Sequence, residues 1–171
     1  MAEISPAKDA AALTRHPEAH DHARHRAQLP PLEAMARKVE TVHVGEAGVP
    51  AGLAIVLHRM VRAMEVHMDR QEQILLPAIR AGGAAGIAPL IAAMRAEHEE
   101  HDRAIAQIGR LTNHLTLPEG ACGTRTRLHD DLAEFVGDLI EHMRLQDEVL
   151  CPPVDPGPPA MPEPTVAAVA R

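Results

Sequence analysis

Apolar residues recur at spacings of three and four through most of the chain, the signature of amphipathic helices with one buried stripe each. A second helix B reads Leu53, Leu57, Met60, Met64, His67, Gln71, Ile74. A third, C, reads Ile87, Ile91, Met94, His98, His101, Ile105, Ile108, and a fourth, D, reads Leu128, Leu132, Phe135, Leu139, His142, Gln146, Val149. The first, A, is less regular: His22, His25, Leu29, Leu32, Met35, Val39, with Pro30 and Pro31 inside it, which should kink it. Breaks rich in Gly and Pro separate the four at Val44–Pro50, Ala81–Pro89 and Asn113–Gly120. Short connections between four such helices predict an all-α, antiparallel up-down-up-down bundle over residues 13–151. Residues 1–12 read as a frayed N-terminus. Residues 152–164 hold seven of the 15 prolines, so 152–171 reads as a disordered tail.

Composition narrows the choice. One Phe, no Trp and no Tyr leave little for a β-domain. A net charge of −7 argues against a nucleic-acid partner, and no run of 18 apolar residues offers a membrane span. No apolar stretch of a secretory signal stands near the start, and two cysteines make no disulfide framework, so the expected location is cytoplasmic.

Each stripe carries polar residues where leucines would be expected: His22 and His25, His67 and Gln71, His98 and His101, His142 and Gln146. Six buried imidazoles without a partner would cost several kcal/mol. A shared metal ion removes most of that cost, and facing helices of a bundle are where such sites form. At ~1.5 Å per residue, His22, His67, His98 and His142 all lie roughly 13–15 Å from one end of the bundle. His43 is too far along helix A to join them. His16, His20, His58, His114 and His129 read as solvated, as does most of the charge run Glu97–Asp102. Met35, Met60, Met64 and Met94 read as packing, and Cys151 is out of phase with the site.

The stretches HARHRAQLPPL (22–32), KVETVH (38–43), HMDRQEQILLP (67–77), MRAEHEEHD (94–102), EGAC (119–122) and HMRLQDEVLCP (142–152) together resemble hemerythrin-like (HHE cation-binding) domains. The likeness is greatest to the di-iron domain of the repair-of-iron-centres and nitric-oxide-induced proteins. The resemblance implies non-haem iron held by His22, His67, His98 and His142, and handling of nitric oxide or oxygen or protection of iron–sulfur proteins under nitrosative or oxidative stress. It matches a family cysteine at Cys122. Residues 1–15 are too short for the family's N-terminal cysteine-pair domain and contain no Cys, so this sequence is expected to carry no counterpart of it.

Two positions depart from the pattern. The bridging glutamates expected four residues after His67 and His142 are Gln71 and Gln146. A neutral amide cannot bridge two cations as a carboxylate does or offset their charge. Glu72 is about 100° out of phase and could replace Gln71 only through a π-bulge. His25 and His101 lie one turn deeper and are available as additional ligands or supports, as are the two glutamines. Two readings therefore stand: a weakened di-iron centre, or a mononuclear histidine-rich site for Zn, Cu, Fe, Co or Ni that buffers or senses a metal, with His25, His67, His101 and His142 as one possible set.

Overall fold

A computed structural model describes residues 17–81 and 86–150. The expected frayed start, the tail 152–171, His16 and Cys151 lie outside the described residues. Every regular element among the described residues is helical: α1 (Pro17–Val42), α2 (Leu53–Arg70), a π-helical turn π1 (Gln71–Leu75), α3 (Leu76–Arg80), α4 (Ile87–Leu111), α5 (Gly123–Leu145) and a second π-helical turn π2 (Gln146–Leu150). The segment α2–π1–α3 is one continuous rod, as is α5–π2, so the layout is four rods, as the periodicity predicts.

Side-chain pairs fix their directions. Along α1, Asp21 meets His142, Gln28 meets Asp138 and His43 meets Cys122, so α5 runs antiparallel to α1. Arg26 meets Glu65, Glu33 meets His58, and the Glu40 carboxylate accepts the backbone N–H of Ala54, so α2 is antiparallel as well. That last bond supplies the cap that Gly52 lacks at the start of α2. His67 and Arg70 both meet Glu97, which docks the first half of α4 on the end of α2.

The bundle divides along its length. Its middle is a dry core of Leu29, Leu32, Leu57, Met60, Met64, Leu132, Phe135 and Leu139, with Val39, Leu53, Ile108 and Leu128 continuing it toward the α1–α2 loop. The methionines Met60, Met64 and Met94 are buried packing residues, as expected; Met35 is packed against the core that holds Met60 and Met64, and Met94 lies with Leu75 in a second, smaller cluster. Helix α1 runs through Pro30 and Pro31 without a break. Two backbone hydrogen bonds are lost there, and burial of the flanking Leu29 and Leu32 holds the turn in place.

At the loop end, Arg125 and His129 are buried, one turn apart on α5. This corrects the reading of His129 as solvated. The buried face of α5 includes Arg125, Leu128, His129 and Leu132, a stripe wide enough to take in the position beside the expected one. Arg125 reaches under the loop after α1. Gly48, at φ +74°, stands where a Cβ would lie 3.3 Å from the Arg125 guanidinium, so the loop approaches that closely only with glycine.

The two π-turns are what the sequence periodicity missed. Each begins its wide i→i+5 turn at a polar stripe residue, Gln71 or Gln146. On the first rod this buries Leu75 and Leu76 and leaves Ile74 half-exposed, where an uninterrupted α-helix places Ile74 on the stripe.

Candidate metal centre

Beyond the dry core, toward the end of the bundle that carries both π-turns, the four rods bring together eight buried polar residues. They are His22 and His25 from α1, His67 and Gln71 from the second rod, His98 and His101 from α4, and His142 and Gln146 from the fourth; none is more than 4% exposed. All eight stripe residues singled out in the sequence therefore meet in one place. His58, His20 and His114 are exposed, as expected, and His43 sits at the far end.

Four of the imidazoles are oriented in the same way. Nδ1 of His22 lies 2.7 Å from Glu72, Nδ1 of His67 2.8 Å from Glu97, Nδ1 of His98 3.1 Å from Asp147, and Nδ1 of His142 3.5 Å from Asp21. In every case the carboxylate belongs to a different rod from the histidine, and the four links close into a hoop. The first rod holds the fourth's histidine, the fourth holds the third's, the third holds the second's, and the second holds the first's. A carboxylate accepts the Nδ1–H and leaves the Nε2 lone pair pointing inward, the arrangement that presents histidine to a metal ion. The acids of the run Glu97–Asp102 are mostly solvated, as expected, with Glu99, Glu100 and Asp102 exposed; Glu97 is the half-buried member that faces His67. The hoop went unseen in the sequence because its members are ordinary surface-type acids. The signal was their adjacency to a stripe residue, in Asp21-His22, Gln71-Glu72, Glu97-His98 and Gln146-Asp147.

The π-turns explain Glu72. It does not replace Gln71 at the centre. The widened turn keeps Gln71 inside, 2% exposed, and swings Glu72 onto the outer nitrogen of His22, where Arg26 also holds it. Asp147 stands after Gln146 in the same relation to His98. The Arg26 guanidinium, and after it the His22 ring, lower the pKa of Glu72 and keep it a carboxylate.

Inside the hoop, the two amides pair reciprocally. Gln71 donates to Gln146 at 2.9 Å and Gln146 donates to Gln71 at 2.8 Å. The Gln71 amide also stands between two Nε2 atoms, with its oxygen 2.9 Å from His22 and its nitrogen 2.9 Å from His67. Whichever way that amide is turned, its oxygen faces the inner nitrogen of one imidazole. The Gln146 oxygen and Nε2 of His98 lie 3.0 Å apart in the same fashion. Two electron-pair donors about 3 Å apart have the separation of neighbouring ligands on an ion with bonds of about 2.0–2.2 Å. Nε2 of His25, His101 and His142 is buried with no hydrogen-bond partner at all. Burial lowers the pKa of His142 to about 2 and of His101 to about 4, with neighbouring imidazoles adding to the effect; it also lowers those of His25 and His67. These rings are neutral at pH 7, the state that binds metals.

The donor chemistry therefore fits a cation and does not fit a carboxylate-bridged pair of irons. Among the described residues no three His, Cys, Asp or Glu side chains already stand in a geometry ready to hold one ion. The inward nitrogens of His22, His67 and His98 are turned to the glutamines instead. In particular, the four imidazoles of the mononuclear alternative fall two and two: His25 beside His142, and His67 beside His101.

Cys122 lies at the opposite end, exposed at the start of α5, with its sulfur 3.3 Å from Nε2 of His43. Nδ1 of His43 lies 2.9 Å from Glu46. The backbone N–H of Arg125 and then the His43 ring lower the thiol pKa, while Cys122 and Glu46 raise that of His43. An imidazolium donating to both sides of the pair accounts for the two shifts. At pH 7, iodoacetamide should alkylate Cys122 several-fold faster than it alkylates free cysteine, and His43→Ala should remove most of that advantage. Equal rates for the two proteins would rule out an activated thiol.

Comparison with known proteins gives the following. The family described as the Hemerythrin HHE cation binding domain matches residues 18–154. The iron-sulfur cluster repair protein YtfE of Pectobacterium atrosepticum is 42% identical over 131 residues, covering 77% of this chain and 59% of the relative. The proteins of the same name from Edwardsiella ictaluri and Yersinia pseudotuberculosis are 40% identical over the same shares. The chain thus spans about three fifths of the length of the curated relatives it matches.

Proposed function

Because the chain belongs to the hemerythrin HHE cation-binding domain family, we propose that it is a non-haem iron protein that protects or repairs iron–sulfur proteins under nitrosative or oxidative stress. The observation that carries this reading is the closed hoop of four carboxylates. It turns His22, His67, His98 and His142 inward from four different rods, and no packing requirement demands that arrangement. Gln71 and Gln146 add amide oxygens at the centre.

Iron in such a nitrogen-rich site, once bound, supplies a redox-active Lewis acid able to take up a diatomic ligand such as nitric oxide or oxygen. The chain supplies the rest. The carboxylates fix the tautomer of each ring, and the dry core of Met64, Met68 and Phe135 closes the inner side of the site against water. The partners are a small diatomic ligand and a damaged iron–sulfur protein, and the compartment is cytoplasmic. No helix among the described residues is long and apolar enough to cross a membrane.

The test is iron content by elemental analysis, followed by reactivation of an iron–sulfur enzyme whose cluster nitric oxide has damaged. Loaded protein should restore activity faster than the same quantity of free ferrous iron, and a His98→Ala, His142→Ala double variant should do no better than free iron. A wild-type protein that binds no iron, or that matches free iron, would defeat the proposal.

A further inference from the structure

The hoop accounts for four imidazoles, but six are buried together. His25 and His101 have no carboxylate. Nδ1 of His25 makes one long contact, 3.3 Å to Gln28, and Nε2 of each is buried without a partner. Buried polar atoms are nearly always bonded, so both rings need an explanation.

Their placement is regular. His25 follows His22 by one turn on α1, and His101 follows His98 by one turn on α4. The ring of His142 lies 5.4 Å from that of His22 and 5.3 Å from that of His25. The ring of His67 lies 5.1 Å from His98 and 5.2 Å from His101. The cluster is thus two copies of one pattern: two histidines a turn apart on one rod, and a third from a neighbouring rod between them. With an ion–nitrogen bond of about 2.0–2.1 Å, the centres of two imidazoles on one tetrahedral ion stand about 5 Å apart. Two of the three separations in each set meet that requirement; the third, between the two histidines one turn apart on the same rod, must close as the ion binds.

We propose that His25 and His101 are metal ligands that complete two three-imidazole sets, His22–His25–His142 and His67–His98–His101, each holding one divalent ion. The inference rests on the reading above that the cluster holds a cation. It follows from the glutamines: an ion that loses its carboxylate ligand is short of donors, and each half of the cluster contains an imidazole, His25 or His101, that has no carboxylate and whose Nε2 is buried and unpartnered. Neither set is preassembled. The ions must first draw Nε2 of His22, His67 and His98 away from the paired amides of Gln71 and Gln146.

The test is anaerobic titration of the full chain with cobalt(II), followed by visible absorption, which reports both stoichiometry and coordination. Wild-type protein should take up two ions with intense four-coordinate bands. His25→Leu and His101→Leu should each weaken one of the two ions by about tenfold or more and change its bands, and the double variant should lose both wild-type signatures. Removing an unpartnered imidazole leaves helix content and the melting temperature of the metal-free protein unchanged or raised, which separates ligand loss from misfolding. His25→Gln and His101→Gln carry the same readout if a leucine variant fails to fold. Wild-type stoichiometry, affinity and spectrum in the folded variants would overturn the proposal and leave the cation site itself standing; a wild-type protein that binds no cobalt would overturn both.

Discussion

Replacing Gln71 and Gln146 together by glutamate should raise iron affinity by about a hundredfold or more and lower the melting temperature of the metal-free protein. Changes one shell further out than these positions already move metal affinity by about 10–100-fold, which sets the floor for residues at the centre. The two amides lie 2.8–2.9 Å apart at their contacting atoms. Two carboxylates there could not both ionise without an ion between them, so one pKa would rise and the empty site would be strained. Binding iron would convert that repulsion into bridging attraction. The two effects have opposite signs in the same variant, so a general change in folding cannot mimic them. Competition with a chelator and paired melting curves measure both. Unchanged iron affinity would mean that positions 71 and 146 do not face the ion.

The metal-free protein should also be acid-sensitive over a defined window. His101 and His142 are neutral when folded, with pKa values lowered by burial to about 4 and about 2. In the unfolded chain both titrate near 6.5. The unfolded state therefore binds more protons below pH 6.5, and stability falls as pH falls. The loss from His101 grows until pH 4, where the folded protein also takes up the proton, and reaches about 3 kcal/mol. His142 continues to lose stability below that. Against the roughly 5–15 kcal/mol of an ordinary domain, the drop is large. Urea midpoints at pH 7 and pH 4.5 should differ clearly for chelator-treated protein. A saturating divalent ion should raise the pH 7 midpoint and make its decline steeper, because protons then compete with the ion for the same nitrogens. Equal midpoints at the two pH values would mean that these rings are not held neutral.

Much of this was legible in the sequence, and the limits have physical causes. Spacing of three and four placed all four rods and put His22, His67, His98 and His142 at one level, because an α-helix has fixed rise and pitch. It could not place Glu72 or Ile74. A π-turn adds a residue to one turn and rotates everything after it, and no residue type announces it. The amide at Gln71 suggested a vacancy to be filled by Glu72; in the structure the same turn keeps the amide inside and sends the carboxylate to His22. Asp21, Glu97 and Asp147 escaped notice for a different reason. A half-buried acid whose partner is on another helix looks, in one dimension, like any solvated charge. His129 was misassigned because a helix packed on two sides buries more than one narrow stripe.

Summed as charge, the carboxylate hoop has a consequence for oxidation state. Asp21, Glu72, Glu97 and Asp147 place four negative charges around a centre whose inner ligands are all neutral. Arg26 and Arg70 are paired with Glu72 and Glu97 and already balance two of them. Two divalent ions would leave the centre carrying a modest positive excess, and two trivalent ions would leave about twice as much in the same desolvated space. A bridging carboxylate at the centre relieves that difference at short range. Carboxylates held one imidazole away relieve it less, since the interaction weakens with distance. If the cluster holds two irons as proposed, acids placed outside the rings rather than between the ions would favour the ferrous pair over the ferric one, and would make the centre a better holder of reduced iron than of oxidised iron.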